Sequence, residues 1–191
     1  MNEIFEVHVR QEAIVNVTTD REAHPKRWVA ALVRMCTEKK VSDRLTALQV
    51  ENYVPIQTEI RQWSDRKKKV DRIVIPMVVF VRVDENDIRT LRTYSFIYKF
   101  ISYPGTSEPA VIPEEQMERL KFMLHHADSP VEMNEHIEVG DKVRIARGPL
   151  KGLEGELCCV KAAQTLVAVR IESLGFACVN VSRADIETIV E

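Results

Sequence analysis

The glycines of this chain are concentrated toward its C-terminus. Five of the six follow residue 138, namely Gly140, Gly148, Gly152, Gly155 and Gly175. Glycine adopts the backbone conformations that tight turns require, and short apolar runs such as 166–171 and 177–181 lie between or after these glycines. The pattern predicts a turn-rich, all-β domain over residues 139–191, folded as a small closed barrel.

The preceding part of the chain has a different pattern. Residues 28–33 form a short apolar run that is suited to a strand buried on both faces. Val41, Leu45 and Leu48 then recur at helical spacing, and Thr37 stands where it can cap that helix. This order predicts a strand followed by an amphipathic helix.

Two further helices are predicted from their first residues. Asp84 can cap a short helix over residues 84–92, and Pro113 can open a longer one. A strand is predicted over residues 96–101, between these helices. Helices mixed with antiparallel hairpins predict an α+β domain.

The predicted domain boundaries follow from these patterns. Residues 28–127 form the α+β domain, and the polar, acid-rich segment 128–138 reads as a linker. Residues 139–191 form the second domain. Residues 1–27 are an N-terminal extension to which the sequence assigns no role.

A cluster of positive charge lies inside the first domain. Residues 57–63 and 70–83 are predicted as two strands, with residues 64–69 as the tip of the hairpin between them. The segment 61–72 carries a local charge of +4, from two aspartates and six basic residues: Arg61, Arg66, Lys67, Lys68, Lys69 and Arg72. Such a tip can neutralise phosphates, and Trp63 beside it can stack on an unpaired base. The alternative is a solvated loop that only aids solubility.

Composition narrows the functional classes. The chain has 191 residues and a formal net charge of −2, which excludes a globally basic nucleic-acid binder but leaves a local basic surface open. No apolar stretch approaches the ~20 residues of a membrane span, and the N-terminus lacks an apolar signal segment. We therefore expect a cytoplasmic protein without membrane contact, whose four cysteines are reduced.

No pattern in the sequence predicts an enzyme. The glycines near Lys151 do not form a phosphate-binding loop, and no motif frames a nucleophile. The cysteines make no C-x-x-C pair. We expect no catalytic residues, no metal site and no cofactor.

The glycine-rich segment resembles a known motif. It opens with G-D-x-V-R-I and continues with G-P-L-x-G-x-x-G-x-L, and the residues that carry the resemblance are Gly140, Asp141, Val143, Gly148, Pro149, Gly152 and Gly155. This resembles the KOW motif of SH3-like barrels. KOW barrels occur in ribosomal proteins and in transcription elongation factors.

The order of elements from Trp28 onward resembles the N-terminal (NGN) domain of NusG-type transcription factors. The helix start at 38–41, the step Tyr53-Val54-Pro55 and the segment 109–113 are most like the specialised RfaH and UpxY antiterminators. Val29 departs from the family, because an aromatic residue usually follows the tryptophan. Met77-Val78 departs as well, since glycine and tyrosine are typical there.

The resemblance implies a fold and a function. It implies an NGN-like antiparallel sheet with flanking helices, followed by a KOW barrel. It implies binding to RNA polymerase, suppression of pausing or termination and, for the specialised paralogues, action on operons such as those for surface polysaccharides. By position, the polymerase-binding residues would be Trp28, Val54, Pro76, Val78, Phe80 and Thr90. The alternative for Trp28 and Phe80 is a purely structural role in the core.

The resemblance also implies further partners. Arg34 matches a basic position of RfaH, which reads non-template DNA, so non-template DNA or nascent RNA is an expected ligand. The KOW domain would recruit a ribosomal protein or a termination factor. Two other readings stay open: a housekeeping NusG, and an RNA-binding KOW protein of the translation machinery. The acidic net charge argues against the last of these.

Overall fold

The computed structural model describes residues 25–62, 66–138, 140–160 and 164–189. Among the described residues, the first half of the molecule (residues 25–126) contains three α-helices and seven strands: β1 (Arg27–Val33), α1 (Glu38–Ala47), β2 (Glu51–Tyr53), β3 (Ile56–Gln62), β4 (Lys67–Ile73), β5 (Val78–Val83), α2 (Glu85–Leu91), β6 (Ile97–Phe100), β7 (Val111–Ile112) and α3 (Glu114–His126). The second half contains β8 (Glu132–Asn134), β9 (Lys142–Ile145), β10 (Glu154–Val160), β11 (Gln164–Ile171), β12 (Gly175–Val181) and β13 (Ile186–Thr188). The prediction of an α+β fold with antiparallel sheets is confirmed.

Strand β1 is the centre of the first sheet. The order is β2-β5-β1-β6, and β7 also pairs with β1. Alternate residues of β1 face opposite sides: Val29 and Ala31 pack in one cluster with α1 and α2, whereas Trp28 and Ala30 pack in the other with α3. Burial on both faces explains why this strand reads as a continuous apolar run.

The three helices begin where their first residues predict. Asp84 forms a capping box with Asp87, whose backbone N–H donates to the Asp84 carboxylate over 2.8 Å. Pro113 directly precedes α3, and Met117 and Leu120 on that helix are fully buried. Thr37 precedes α1, but its hydroxyl donates to the Arg34 carbonyl instead of accepting from the helix.

The predicted strand over residues 70–83 is interrupted, so that prediction is wrong. Strand β4 ends at Ile73, β5 begins at Val78, and the residues between them form a turn. Met77 has a positive φ of 64°, and Pro76 precedes it. Proline followed by a residue of positive φ is typical of a tight turn, which ends the hairpin and redirects the chain into the sheet.

The second sheet is antiparallel, with the strand order β13-β9-β10-β11-β12-β8. Its edge strand β8 comes from the segment expected as a linker and pairs with β12 from Phe176 to Cys178. At Gly175 a Cβ would lie 2.5 Å from the Asn134 carbonyl oxygen, so glycine permits the close approach of β8.

Helix α3 joins the two halves of the molecule. It contacts β1 and β3 in the first half and β11 in the second. The Gln116 side-chain oxygen accepts from the Glu172 backbone N–H over 2.8 Å, and Arg119 pairs with Glu154 at 3.1 Å. One hydrophobic cluster therefore runs from Trp28 and Phe80 through α3 to Val143 and Val167.

Candidate functional site

The basic hairpin is formed by β3 and β4. The two strands pair from Ile56 opposite Ile73 to Gln62 opposite Lys67, and they make a two-stranded sheet apart from the larger ones. The continuous antiparallel register sends the basic residues of β4 toward the far end of the hairpin. The hairpin is therefore a separate projection whose outer end is positively charged.

Most of the predicted nucleic-acid-binding residues lie at this tip. The exposed ones are Arg66, Lys67, Lys68 and Lys69. Because side chains alternate along a strand, Lys67 and Lys69 share one face of β4 and Lys68 takes the other. Arg61 lies opposite Lys68 in the strand register, while Trp63 lies outside the described residues. Ile60, opposite Lys69, is 67% exposed and adds an apolar surface beside the charges.

Arg72 stands apart from the other predicted contact residues. It lies toward the base of the hairpin, where its guanidinium pairs with Glu59. It also donates to the Gln57 side-chain oxygen over 3.1 Å and to the Val131 carbonyl over 2.7 Å. The Arg72 guanidinium therefore bonds other groups of the protein in this structure.

A second basic contact fixes the hairpin to α1. The Lys39 ammonium lies 2.8 Å from the Asp71 carboxylate, which also accepts from the Thr58 hydroxyl over 3.0 Å. The hydrogen bond from Lys39 is the main cause that lowers the pKa of Asp71. An acid within the basic segment is thereby held in its charged, paired form.

Arg34 lies in a groove of about 830 Å³ beside α1. The groove is lined by basic residues just after β1 and on α1 and by apolar and aromatic side chains, among them Arg34, Lys40, Arg44, Met35, Phe96 and Tyr98. The Arg44 guanidinium lies 5.5 Å from the centroid of the Phe96 ring, and Tyr98 is 82% exposed. Cationic and aromatic side chains together suit a nucleic-acid base and its phosphate.

The family resemblance singled out Arg34 but none of the other residues that line this groove. Lys40 and Arg44 are four residues apart on α1 and therefore share a helix face, which is a signal that the sequence carries. Tyr98 carried no comparable signal, because it comes near Arg34 only through the pairing of β6 with β1.

The predicted polymerase-binding residues divide into two groups. Trp28, Val78 and Phe80 are buried in the cluster beneath α3, and Val54 is buried as well. Pro76 and Thr90 are exposed, in the turn before β5 and on α2 respectively.

Trp28 has a well-defined polar environment. Its indole N–H donates to Glu114 over 3.0 Å, and the Lys121 ammonium lies 4.3 Å from the centroid of its ring. The same ammonium lies 5.5 Å from the Tyr53 ring, and burial raises the pKa of Tyr53 to about 12. Side chains of α3 therefore cover Trp28 directly.

The KOW-type residues lie around β9 and β10. Gly148 and Gly152 have positive φ angles of 82° and 92°, and Pro149 follows the first of them in the exposed turn. At Gly155 a Cβ would lie 2.6 Å from the Ala168 carbonyl oxygen, so glycine lets β10 approach β11. Backbone bonds from Gly140 to Leu157 and from Leu157 to Asp141 close the start of this unit, and Val143 is buried.

Other kinds of site have little support in the described part of the chain. It contains no group of three or more His, Cys, Asp or Glu residues placed to hold a metal ion. None of its helices is long and apolar enough to cross a membrane. Of its cysteines, Cys36 is exposed, whereas Cys158 and Cys178 are buried.

Comparison with known proteins gives one family match. Residues 26–121 match the family model described as NusG, transcription termination factor nusG, which is about half of the 191-residue chain. No curated protein sequence matches the chain significantly.

Three solved structures are similar to this chain. One, on domain interaction in Thermotoga maritima NusG, is 21% identical, with a TM-score of 0.45, and the match covers 86% of this chain and 98% of that one. The MjSpt4:Spt5 complex in conformation A is 18% identical, with a TM-score of 0.26, and the match covers 85% of this chain and 97% of that one. Conformation B of that complex is 19% identical, also with a TM-score of 0.26, covering 86% and 97%.

Proposed function

Since this chain belongs to the NusG family of transcription factors, we propose that it binds RNA polymerase during elongation and suppresses pausing or termination. The match over residues 26–121 is the observation that carries the proposal, because it includes the first sheet, the hairpin and α3 as far as Lys121. The family is not enzymatic, and the chemistry required of such a factor is binding alone.

We propose that polymerase docks on a face around Pro76, and that Thr90 on α2 makes a separate contact with it. Both residues are exposed, so they can form the first contact. Trp28, Val78 and Phe80 would support this face from inside, since they are buried beneath α3, whereas Val54 is buried in the cluster with α1 and α2. A buried aromatic cluster behind an exposed contact gives a binding surface a rigid base.

We propose that nucleic acid binds to the basic hairpin and to the groove around Arg34. The lysines of the tip can replace counterions along a phosphate backbone, and the groove offers Tyr98 and Phe96 for stacking. Non-template DNA or nascent RNA near the polymerase is the proposed ligand.

We propose that residues 139–191 form an SH3-like KOW barrel, joined through residues 128–138 to an NGN-like domain over residues 28–127. The positive φ angles of Gly148 and Gly152 and the close contact at Gly155 support the KOW assignment. Its partner would be a ribosomal protein or a termination factor. Residues 1–24 lie outside the described residues, and we propose no role for the extension at 1–27.

We propose that the chain is a specialised antiterminator of the RfaH and UpxY type, acting on operons such as those for surface polysaccharides. The segments that support this are the start of α1 at Glu38, the end of β2 at Tyr53 and the approach to α3 at Pro109–Pro113. The departures at Val29 and Met77 also favour a paralogue over the housekeeping factor.

Single-round transcription by purified RNA polymerase tests this function. On a template with a pause site and a downstream terminator, the wild-type protein should shorten the pause and increase read-through. A Lys67→Ser/Lys69→Ser variant should have a smaller effect at the same concentration, because two phosphate contacts of the tip are removed. Unchanged pausing and termination with the wild-type protein would contradict the proposal.

A further inference from the structure

Two residues at the base of the hairpin bind the backbone of the segment that joins the two halves of the molecule. Gln57 and Arg72 are directly opposite each other in the pairing of β3 with β4. Gln57 is only 3% exposed, although its side chain is polar. A buried amide is stable only when its hydrogen bonds are satisfied, so its partners matter.

All of the partners of the Gln57 amide in the joining segment are backbone groups. Its nitrogen donates to the Ser129 carbonyl over 2.8 Å and to the Ala127 carbonyl over 3.4 Å. Its oxygen accepts from the Val131 backbone N–H over 2.9 Å. The side chain therefore bonds this segment in the way that a neighbouring strand would.

Arg72 completes the contact from the opposite strand. Its guanidinium donates to the Val131 carbonyl over 2.7 Å and to the Gln57 side-chain oxygen over 3.1 Å. Both backbone groups of Val131 are thus held by the cross-strand pair. The pairing of Arg72 with Glu59 orients the guanidinium toward this segment.

The same segment is held from the other side by the second sheet. Val131 is fully buried in the cluster that includes Val167 and Val179. The Ser129 hydroxyl donates to the Asn180 carbonyl of β12 over 3.1 Å, and β8 begins at the next residue after Val131. The hairpin and the second sheet consequently share one short backbone segment.

We propose that Gln57 and Arg72 are positioning residues that lock the basic hairpin to residues 127–131. We call this set of hydrogen bonds the lock. It fixes the orientation of the hairpin relative to residues 127–131, and through these residues it also fixes the hairpin relative to the second sheet. It assigns Arg72 an internal role in place of the phosphate contact expected from the sequence. The effect on nucleic-acid binding rests on the proposed function of the hairpin, whereas the lock itself does not.

Hydrogen exchange of the full-length protein tests the lock. In Gln57→Leu and in Arg72→Met, the amides of Ser129 and of residues 131–133 should exchange about tenfold faster or more, because buried backbone groups lose their partners. The control Lys67→Ser, at the tip of the same hairpin, should leave these amides unchanged. Arg72→Met keeps the aliphatic stem of the side chain and tests the lock even if Gln57→Leu does not fold. Unchanged exchange in the folded variants would overturn the proposal.

Binding of a fluorescent single-stranded oligonucleotide separates positioning from phosphate contact. Arg72→Met should weaken binding about fivefold without changing the slope of log K against log salt, since no released counterion is lost. Lys67→Ser should reduce that slope by about 0.7. A similar reduction in Arg72→Met would overturn the positioning role. If the wild-type protein does not bind, the proposed function of the hairpin fails, and hydrogen exchange still decides whether the lock exists.

Discussion

At the scale of single residues, one buried acid determines a turn far along the chain. Glu38 is 2% exposed, and its carboxylate accepts from the Met77 backbone N–H over 2.8 Å. That bond holds Met77 in its left-handed conformation and joins the start of α1 to the turn before β5. The sequence predicts Glu38 only as a residue of the first helical turn, because the distant contact leaves no local pattern.

Tyr53 offers a test of how the aromatic cluster is stabilised. Its ring stacks on Phe80 with the centroids 6.5 Å apart, while its buried hydroxyl has no hydrogen-bond partner among the described residues. Tyr53→Phe keeps the stacking and removes the unsatisfied hydroxyl. We expect the free energy of unfolding, measured in urea at neutral pH, to stay the same or to rise by about 1 kcal/mol. A loss of more than about 1 kcal/mol would show that the hydroxyl is bonded.

The same residue predicts a pH dependence. Burial raises the pKa of Tyr53 from 10.0 to about 12, so the neutral phenol is favoured in the folded state. As the pH rises, the unfolded chain loses this proton before the folded protein does. The stability that depends on the neutral phenol is therefore complete below pH 10 and is lost as the pH rises toward 12. The free energy of unfolding, measured at a series of pH values across this range, should fall less steeply with pH for Tyr53→Phe than for the wild-type protein. Parallel curves would contradict the assignment.

At the scale of elements, the turn between β4 and β5 shows what the sequence conceals. Residues 70–83 contain alternating apolar side chains and read as one long strand, yet the chain turns at Pro76 and Met77. The proline within this apolar pattern is the one local signal against a continuous strand, because proline cannot donate a hydrogen bond to a neighbouring strand. The turn matters for function because it separates the basic hairpin from the main sheet.

Substitutions at Met77 test this turn. A β-branched side chain is strongly disfavoured at a φ of +64°, so Met77→Val should lower the free energy of unfolding by about 2 kcal/mol. Met77→Gly should change it by less than about 1 kcal/mol, because glycine adopts this conformation freely. Met35→Val, at an exposed position without positive φ, serves as the control. Equal effects of valine and glycine at Met77, measured by chemical denaturation, would refute the left-handed turn.

Helices that are marked by neighbouring residues were predictable from the sequence. Strand pairings and contacts between residues far apart in the chain were not. Asp84, Pro113 and the apolar stripe of α3 each mark a helix by residues close in sequence. The helix end at Ala47 came slightly before the expected stripe residue Leu48, which is exposed. Strand β8 and the contacts of α3 with the second sheet depend on residues far apart in the chain, so no spacing pattern reports them. For the same reason the sequence placed Arg72 with the basic tip residues.

At the scale of the whole molecule, the two sheets share one hydrophobic cluster through α3. Trp28 lies in the part of this cluster that belongs to the first half of the molecule, whereas Cys158 and Cys178 are buried in the second sheet. A shared core makes the unfolding of the two halves cooperative. We therefore expect a single transition in denaturant.

Two probes should follow that transition together. In a Trp63→Phe variant, the fluorescence of Trp28 should change at the same urea concentration at which Cys158 and Cys178 become reactive toward a thiol reagent. Mass spectrometry distinguishes them from the exposed Cys36, which should react without denaturant. Reaction of Cys158 and Cys178 at clearly lower urea would mean that the second sheet unfolds independently.

Binding to purified RNA polymerase tests the proposed function most directly. Pro76 is exposed on the proposed docking face, whereas substitution of the fully buried Phe80 by a charged residue would disrupt the core. We predict that the wild-type protein and the control Ser107→Asp, in the loop between β6 and β7, bind at micromolar concentrations. Pro76→Asp, verified as folded by circular dichroism, should bind about tenfold more weakly. No binding by the wild-type protein would contradict the proposed binding to polymerase, and equal binding by all three proteins would place the docking face elsewhere.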